Sequence, residues 1–142
     1  MTDEASDAWS WADLDAAPRH DPNTLTSDVV PRDPGVYAWY RDGERIYVGK
    51  ADSLYNRVWG NQLSHGRRPT QSVLQRNVAE LLGHGNSAAI KSGAVRLTVP
   101  QLEEVRTWIL GCQVAWLVCP GAFAATKLED KLKAEYQPQL KR

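Results

Sequence analysis

Two short runs of β-branched and aromatic residues, separated by a turn-forming pair, constrain the fold of this chain most. The runs are Val36-Tyr37-Ala38-Trp39-Tyr40 and Arg45-Ile46-Tyr47-Val48-Gly49, with Asp42-Gly43 between them. An Asp-Gly pair between two such runs is a strong signal for a β-hairpin. The sequence therefore predicts an antiparallel pair of strands over these residues.

The length of the hairpin loop decides whether Tyr37 and Tyr47 share one face of the sheet. A two-residue loop without a bulge would pair Tyr37 with Val48 and put Tyr47 on the opposite face. A three-residue loop, with Gly43 in a left-handed conformation forming a bulge, would pair Tyr37 directly with Tyr47. Asp-Gly suits either turn. We expect the three-residue loop, which would bring both hydroxyls together.

The remaining pattern predicts four helices and a third strand. The helices are expected over residues 54–63, 71–82, 100–110 and 122–136, and the strand over residues 113–118. Pro100 suits the first turn of its helix, and Pro138 ends the last one. The order β-β-α-α-α-β-α contains no βαβ repeat, so we expect a small α/β (α+β) domain. Its three-stranded sheet should be mostly antiparallel and flanked by helices.

The distribution of charge divides the chain into two parts. Residues 1–28 carry seven acidic side chains and one basic one, a net charge of −6, whereas the rest carry 16 Lys and Arg against 10 acids, a net charge of +6. We expect residues 1–33 to form an acidic tail or strap, and residues 34–142 to form the domain. A basic domain suits a polyanion such as nucleic acid, although scattered surface lysines give the same count. An acidic tail could lie across that basic surface and compete with nucleic acid.

Two further features bear on location. The first residues are acidic, and no apolar run approaches the roughly 20 residues that span a bilayer, so we expect a cytoplasmic protein without a membrane segment. The cysteines, Cys112 and Cys119, lack any Cys-x-x-Cys or zinc-like spacing. Buried free thiols are the preferred interpretation.

A family resemblance rests on three groups of residues. Gly35-Val36-Tyr37, then Tyr47-Val48-Gly49-Lys50-Ala51, then Leu54 and Arg57 resemble the signature of the GIY-YIG nuclease family. That family includes the N-terminal domain of a bacterial excision-repair nuclease, some homing endonucleases and some restriction enzymes. The resemblance covers roughly residues 34–141, and it implies a three-stranded antiparallel sheet with the signature on the first two strands.

The resemblance also implies a reaction and a site. The chain would be a metal-dependent endonuclease that hydrolyses phosphodiester bonds in DNA, in repair or restriction. Tyr37 would be the general base, Tyr47 would orient phosphate or water, and Lys50 would lower the pKa of Tyr37. Arg57 would hold the scissile phosphate, and Glu129 would be the protein ligand of a single Mg²⁺ (or Mn²⁺). Gly49 belongs to the same signature.

Apart from the resemblance, Glu129 occupies an unusual position for a charged residue. Its helical neighbours Ala125, Leu132 and Tyr136 predict an inward-facing stripe, and a buried acid needs a cation or a metal beside it. An Arg57 to Glu129 salt bridge would be a purely structural explanation of both residues.

Two positions depart from the family pattern. Many members have a histidine one turn after the arginine, where this chain has Asn61, with His65 one turn further along. Many also have an asparagine after the last helix, where spacing gives Lys141, and lysine cannot accept a hydrogen bond. These departures favour an alternative function, a nucleic-acid-binding or partner-binding module that keeps the fold with weak or lost catalysis.

Other choices stay open at this stage. Arg67, Arg68 and Arg76 form a basic cluster that could follow a phosphate backbone, although solubilising charge explains it nearly as well. A nuclease acting on RNA or on modified DNA fits the same residues. A homodimer, which would allow two sites to cut two strands, is equally compatible with the sequence.

Overall fold

A three-stranded antiparallel sheet forms the centre of the fold. The computed structural model describes residues 8–62, 72–138 and 140. Strands β1 (Gly35–Arg41), β2 (Glu44–Ala51) and β3 (Gln113–Val118) are arranged in the order β2-β1-β3. Both pairings with β1 are antiparallel. This confirms the predicted fold class, and it makes β2 and β3 the edge strands of the sheet.

Helices cover the sheet on both sides. They are α1 (Trp11–Ala16), a π-helix (Tyr55–Gln62), α2 (Val73–Leu81), α3 (Ser87–Ser92), α4 (Val99–Leu110) and α5 (Ala122–Glu135), and a single 3₁₀ turn spans Ser27–Val29. The short helices α1 and α3 were not predicted. Asn86 caps α3 by accepting hydrogen bonds from the backbone N–H groups of Ala88 and Ala89.

Each face of the sheet has its own apolar core. One face, which we call the tyrosine face, carries Tyr37, Trp39 and Tyr47 and packs against the π-helix, α2 and α4 through Val58, Leu74, Val78, Val105 and Ile109. The opposite face, called the α5 face, carries Val36, Ala38, Tyr40, Val48 and Ala115 and packs against Leu128 and Leu132 of α5 and Trp11 and Leu14 of α1. Alternation along the strands therefore assigns their residues to one of two helical layers, except at Ile46 and Tyr47, which are consecutive and lie on the same face.

The strap, residues 8–33, is fastened to the α5 face and to the edge of β3. The indole of Trp11 donates a 2.8 Å hydrogen bond to the carbonyl of Leu132 near the end of α5. His20 exchanges two backbone hydrogen bonds with Val114 of β3, at 2.8 and 3.0 Å, and its ring stacks on Trp116. The N-terminal segment thus covers part of the exposed edge of β3.

Three acidic side chains of the strap accept hydrogen bonds from other parts of the chain or from their own segment. Asp15 accepts hydrogen bonds from the hydroxyl of Tyr40 and from the guanidinium of Arg45, while Asp13 completes the capping box of α1 and Asp21 accepts from Asn23. The strap lies against the α5 face, and these three carboxylates already have hydrogen-bond partners within the fold. The expectation that residues 1–28 lie across a basic surface and compete with nucleic acid stays a prediction, and Arg45 is the basic side chain that the described part of the strap engages through Asp15.

Two smaller predictions can be checked directly. Over the described residues, no helix combines the length and the apolar character that crossing a membrane requires. Cys112 and Cys119 are both buried and free, which confirms the preferred interpretation of the two thiols.

Candidate active site

The hairpin turn differs from the one expected. Arg41 pairs with Glu44, so the loop is the two-residue Asp42-Gly43. Both loop residues have positive φ, 53° at Asp42 and 80° at Gly43. Such a turn follows the right-handed twist of its strands, and aspartate and glycine are the residues that tolerate its left-handed backbone. The predicted three-residue loop is therefore wrong.

A bulge further along β2 nevertheless brings the two tyrosines to one face. Tyr40 pairs with Arg45, but the next residue of β1, Trp39, pairs with Tyr47, so Ile46 is an extra residue. Ile46 and Tyr47 both belong to the core of the tyrosine face. The rings of Tyr37 and Tyr47 lie 6.1 Å apart between centroids with planes inclined at 27°. Direct pairing of the tyrosines was wrong, but their common face is reached by a different route.

Gly49 gives the Tyr37 ring its room. Tyr37 pairs with Gly49 across the two strands. A Cβ built on Gly49 would lie 2.5 Å from the Tyr37 hydroxyl and 2.7 Å from Cζ. These distances are shorter than any van der Waals contact, so a glycine at this position is a condition for the observed Tyr37 conformation. Both phenols are buried, with 1% of Tyr37 and 2% of Tyr47 exposed.

Arg76 joins the tyrosine face. It lies on α2 with only 7% of its surface exposed, so it is not an exposed solubilising charge. The predicted basic cluster of Arg67, Arg68 and Arg76 stays a prediction, because Arg67 and Arg68 lie outside the described residues. Burial lowers the pKa of Arg76, whereas the neighbouring Tyr47 raises it. Little in the sequence indicates this burial, because Arg76 stands between the apolar positions Leu74 and Val78 and interrupts no apolar stripe.

Lys50 lies on the other side of the sheet. It pairs with Val36, a residue of the α5 face, and its Nζ donates a 3.0 Å hydrogen bond to Oγ1 of Thr126 on α5. Adjacent strand residues point to opposite faces, so Lys50 cannot share the side of Gly49 and Tyr47. The expectation that Lys50 stands beside the tyrosines is corrected by this alternation.

Glu129 is the buried acid that the helical pattern predicts. Only 3% of the residue is exposed, and Oε2 lies 3.5 Å from Nζ of Lys133, one turn further along α5. Arg57 is half-buried on the π-helix and takes no part in an ion pair with Glu129 within the described residues. The structural explanation that invoked an Arg57 to Glu129 salt bridge is therefore wrong. Glu129 belongs to the layer of the α5 face, together with Lys50.

The donor set can be tested against a divalent metal. No group of three or more His, Cys, Asp or Glu side chains comes together among the described residues. A closed, all-protein metal cage is therefore not formed by that part of the chain. A lone buried carboxylate fits Mg²⁺, which keeps several waters and is commonly bound through one or two carboxylates. Glu129 fits such an ion if Lys133 moves aside.

Several predicted residues fall outside the described part of the chain. These are His65, Arg67, Arg68 and Lys141, together with the side chain of Asn61. Their proposed roles remain predictions.

The similarities between this chain and known proteins are similarities to solved structures. No protein-family model and no curated protein matches the chain. Its structure is similar to the GIY-YIG N-terminal endonuclease domain of UvrC from Thermotoga maritima bound to magnesium, with 21% identity over 82% of this chain and 91% of that one and a TM-score of 0.42. A tyrosine-to-phenylalanine point mutant of that domain, bound to the catalytic divalent cation, gives 19% identity over 82% and 90% and a TM-score of 0.43. We therefore infer the function of this chain from its own residues.

Proposed function

We propose that this chain is a metal-dependent endonuclease that hydrolyses phosphodiester bonds in DNA. The observation that carries the proposal is the placement of Tyr37 and Tyr47 on one face by the Ile46 bulge. Bulges are frequent beside active sites, where they redirect a side chain. Gly49 adds a second constraint, since it leaves space for the Tyr37 hydroxyl and for no side chain of its own.

Each requirement of the reaction has a candidate group. Hydrolysis needs an activated water, compensation of negative charge on the phosphate and stabilisation of the departing oxygen. Tyr37 acts as the general base toward water, and Tyr47 orients the phosphate or that water. Arg57 holds the phosphate through its planar set of donors. Arg76, buried beside Tyr47, supplies the positive charge on the tyrosine face that the sequence had suggested for Lys50.

The residue that would hold the metal, Glu129, lies on the α5 side of the sheet. Glu129 would hold a Mg²⁺ or Mn²⁺ ion, which would neutralise the departing oxyanion when bound. Lys50 lies on that side, where its hydrogen bond to Thr126 holds the ammonium group against α5. Tyr47 and Lys50 are both on β2, an edge strand whose residues contribute to both layers. We propose that the scissile phosphate binds at the Gly49 to Ala51 end of β2, the strand that carries both Tyr47 and Lys50.

Plasmid cleavage tests the proposal. Supercoiled DNA is incubated with Mg²⁺ and the wild-type chain, Tyr37→Phe, Glu129→Gln or the control Tyr136→Phe. Tyr136 is 46% exposed and lies just beyond α5, and phenylalanine keeps its ring. We expect cleavage by the wild type and by Tyr136→Phe, with loss in the other two variants. Equal cleavage by all four proteins would identify a contaminating nuclease and reject the proposal.

Metal binding has a separate readout. A ligand that binds only the folded state raises the melting temperature in proportion to the logarithm of its concentration above Kd. Mn²⁺ should therefore stabilise the wild type and leave Glu129→Gln unchanged. An identical shift in both proteins would place the metal elsewhere.

The placement of the candidate site residues on opposite faces of the sheet favours a second function, binding without hydrolysis. Lys50 and Glu129 lie in the α5 layer, whereas both tyrosines are buried on the opposite face. A module that binds nucleic acid or a protein partner, with weak or lost hydrolysis, fits this division. Binding of DNA without cleavage under any metal condition would favour the module. Cleavage of RNA or of modified DNA alone would keep the chemistry and change the substrate.

A further inference from the structure

An exposed aromatic residue stands close to the candidate site without a role in it. Phe123 is the only phenylalanine of the chain, and 77% of its surface is exposed. Single exposed apolar residues are common and need no explanation. The surroundings of Phe123 distinguish it from the other exposed apolar residues.

Basic side chains follow Phe123 along one ridge of α5. Lys127 and Lys131 come four and eight residues later, and side chains with this spacing lie on one face of a helix at intervals of about 6 Å. Nζ of Lys127 lies 5.6 Å from the centre of the Phe123 ring. All three residues are exposed. Two exposed acidic residues lie near this ridge, Asp130 and Glu135, and Glu135 accepts a hydrogen bond from the backbone N–H of Trp11.

The same turn of α5 is tied to the site residue Lys50. Thr126, three residues after Phe123, accepts the hydrogen bond from Lys50 and donates one to the carbonyl of Ala122. Phe123 is therefore within one helical turn of a side chain that anchors the end of β2. The ridge therefore begins on the turn of α5 that contacts the Lys50 side chain of β2.

We propose that Phe123 is a stacking platform for an unpaired nucleobase, and that Lys127 and Lys131 bind the phosphates of the same single strand. The inference rests on the proposed function, which it narrows to substrates with an unpaired or locally opened strand. A flat apolar ring beside ammonium groups matches the combination of stacking and backbone charge by which proteins bind single strands. A paired duplex keeps its bases stacked inside and gains only from the lysines.

Binding of oligonucleotides tests the platform independently of cleavage. Fluorescence anisotropy is measured with a labelled 12-nucleotide oligo-dT and with a matched 12-base-pair duplex, in EDTA. The variants are Phe123→Ala, Phe123→Leu and Phe123→Trp, with Val99→Ala as the control. Val99 is also an exposed apolar residue, 60% accessible, but it lies on α4 in the other helical layer. Melting temperatures verify that each variant is folded.

The expected pattern separates stacking from general contact. Phe123→Ala should weaken binding of the single strand roughly 5- to 100-fold, the range for losing one base–aromatic stack, with little effect on the duplex. Phe123→Leu should be nearly as weak, Phe123→Trp should restore binding, and Val99→Ala should have no effect. Lys127→Gln should lower the slope of log Kd against log salt by about 0.7 for the single strand.

Several outcomes would overturn the inference. These are unchanged binding by Phe123→Ala, equal losses for single strand and duplex, full binding by Phe123→Leu, and failure of the wild type to bind oligo-dT. Plasmid cleavage decides the proposed function separately. A chain that cleaves DNA without needing Phe123 refutes only the platform, whereas selective loss of single-strand binding in a chain that never cleaves refutes only the hydrolysis.

Discussion

The hydroxyl of Tyr37 lies directly over Gly49, so that a Cβ on Gly49 would stand only 2.5 Å from that oxygen. Tyr37 is fully buried, and its ring therefore has little freedom to retreat. The contact explains why glycine stands two residues after Tyr47 on β2, and it couples the backbone of that strand to the candidate base on β1.

Replacing Gly49 with alanine should damage both stability and cleavage. An additional methyl group in a filled core costs about 1 to 3 kcal/mol of unfolding free energy. Cleavage should fall because the displaced Tyr37 hydroxyl would no longer be positioned to accept a proton from the attacking water. Gly60→Ala is the matched control, because its added Cβ would meet only the Tyr55 carbonyl, at 3.9 Å. Urea unfolding and plasmid cleavage provide the measurements. A Gly49→Ala protein as stable and active as the wild type would contradict the contact.

Arg76 and Tyr47 should be energetically coupled. Residues that contact each other within one buried polar network usually show interaction free energies of about 0.5 to 3 kcal/mol in a double-mutant cycle. The cycle combines Arg76→Met with Tyr47→Phe and is measured by urea unfolding, and cleavage rates are compared in the same four proteins. Strictly additive changes in both measurements would show that Arg76 does not act on Tyr47.

Lys133 should compete with the metal for Glu129. Its ammonium lies 3.5 Å from the carboxylate, so Lys133→Gln removes a rival cation. A pair of this kind contributes up to about 1 kcal/mol, which predicts roughly 2- to 5-fold tighter binding of Mn²⁺. Calorimetric titration measures the affinity, with Lys91→Gln, an exposed residue of α3, as the control. Weaker binding in Lys133→Gln would assign the lysine to the metal site instead.

Asp15 should make the fastening of the strap depend on pH. Burial by itself raises the pKa of Asp15, but hydrogen bonds from Arg45 and Tyr40 and the charges of Arg45 and Arg19 lower it overall. A lowered pKa in the folded state contributes stability above the unfolded value of about 3.9, and that stability is lost as the pH falls through the folded pKa. Asp15→Asn should therefore cost about 1 kcal/mol at pH 7 and progressively less below about pH 4.

Urea unfolding at a series of pH values measures this difference. Asp130→Asn, at an exposed position of α5, is the control. A deficit for Asp15→Asn that stayed constant from pH 7 to pH 3 would show that packing, and not the carboxylate charge, holds the strap.

The two thiols should be unreactive in the folded protein. Burial raises the pKa of Cys119 to about 11 and also raises that of Cys112. Only about one Cys119 in a thousand is a thiolate at pH 8, and the thiolate is the reactive form. Ellman's reagent should thus detect almost no thiol before denaturation and both cysteines afterwards. Rapid reaction of one equivalent in the native state would show that a cysteine is accessible.

Much of the fold could be predicted from local patterns. Alternating and aromatic runs located the hairpin, and the apolar run at residues 113–118 has the same bounds as β3. The last helix, predicted over residues 122–136, ends within one residue of the observed Glu135. These elements carry strong periodic signals or are bounded by proline and glycine. Helix α1 has only six residues, and it is stabilised by Trp11 and Leu14 packing on a distant sheet, which no local pattern specifies.

The geometry of the site was harder to predict for a different reason. A three-residue loop and a two-residue loop followed by a bulge add the same number of residues to the hairpin, so the sequence cannot distinguish them by counting. Both bring Tyr37 and Tyr47 to one face, but only the observed form opposes Tyr37 to Gly49. The burial of Arg76 depends on how α2 docks. The side of Lys50, in contrast, follows from the alternation of residues after Tyr47 and could have been predicted.

The Ile46 bulge also gives the hairpin an unequal tolerance to changes in length. Without Ile46 the strands could pair continuously, and Tyr47 would still oppose Trp39. With one more residue in the same stretch, the existing bulge would have to widen or Tyr47 would rotate toward the α5 layer. The hairpin can therefore lose one residue at Ile46 and keep Tyr47 on the tyrosine face. A gain of one residue there would require either a wider bulge or a move of Tyr47 to the α5 face.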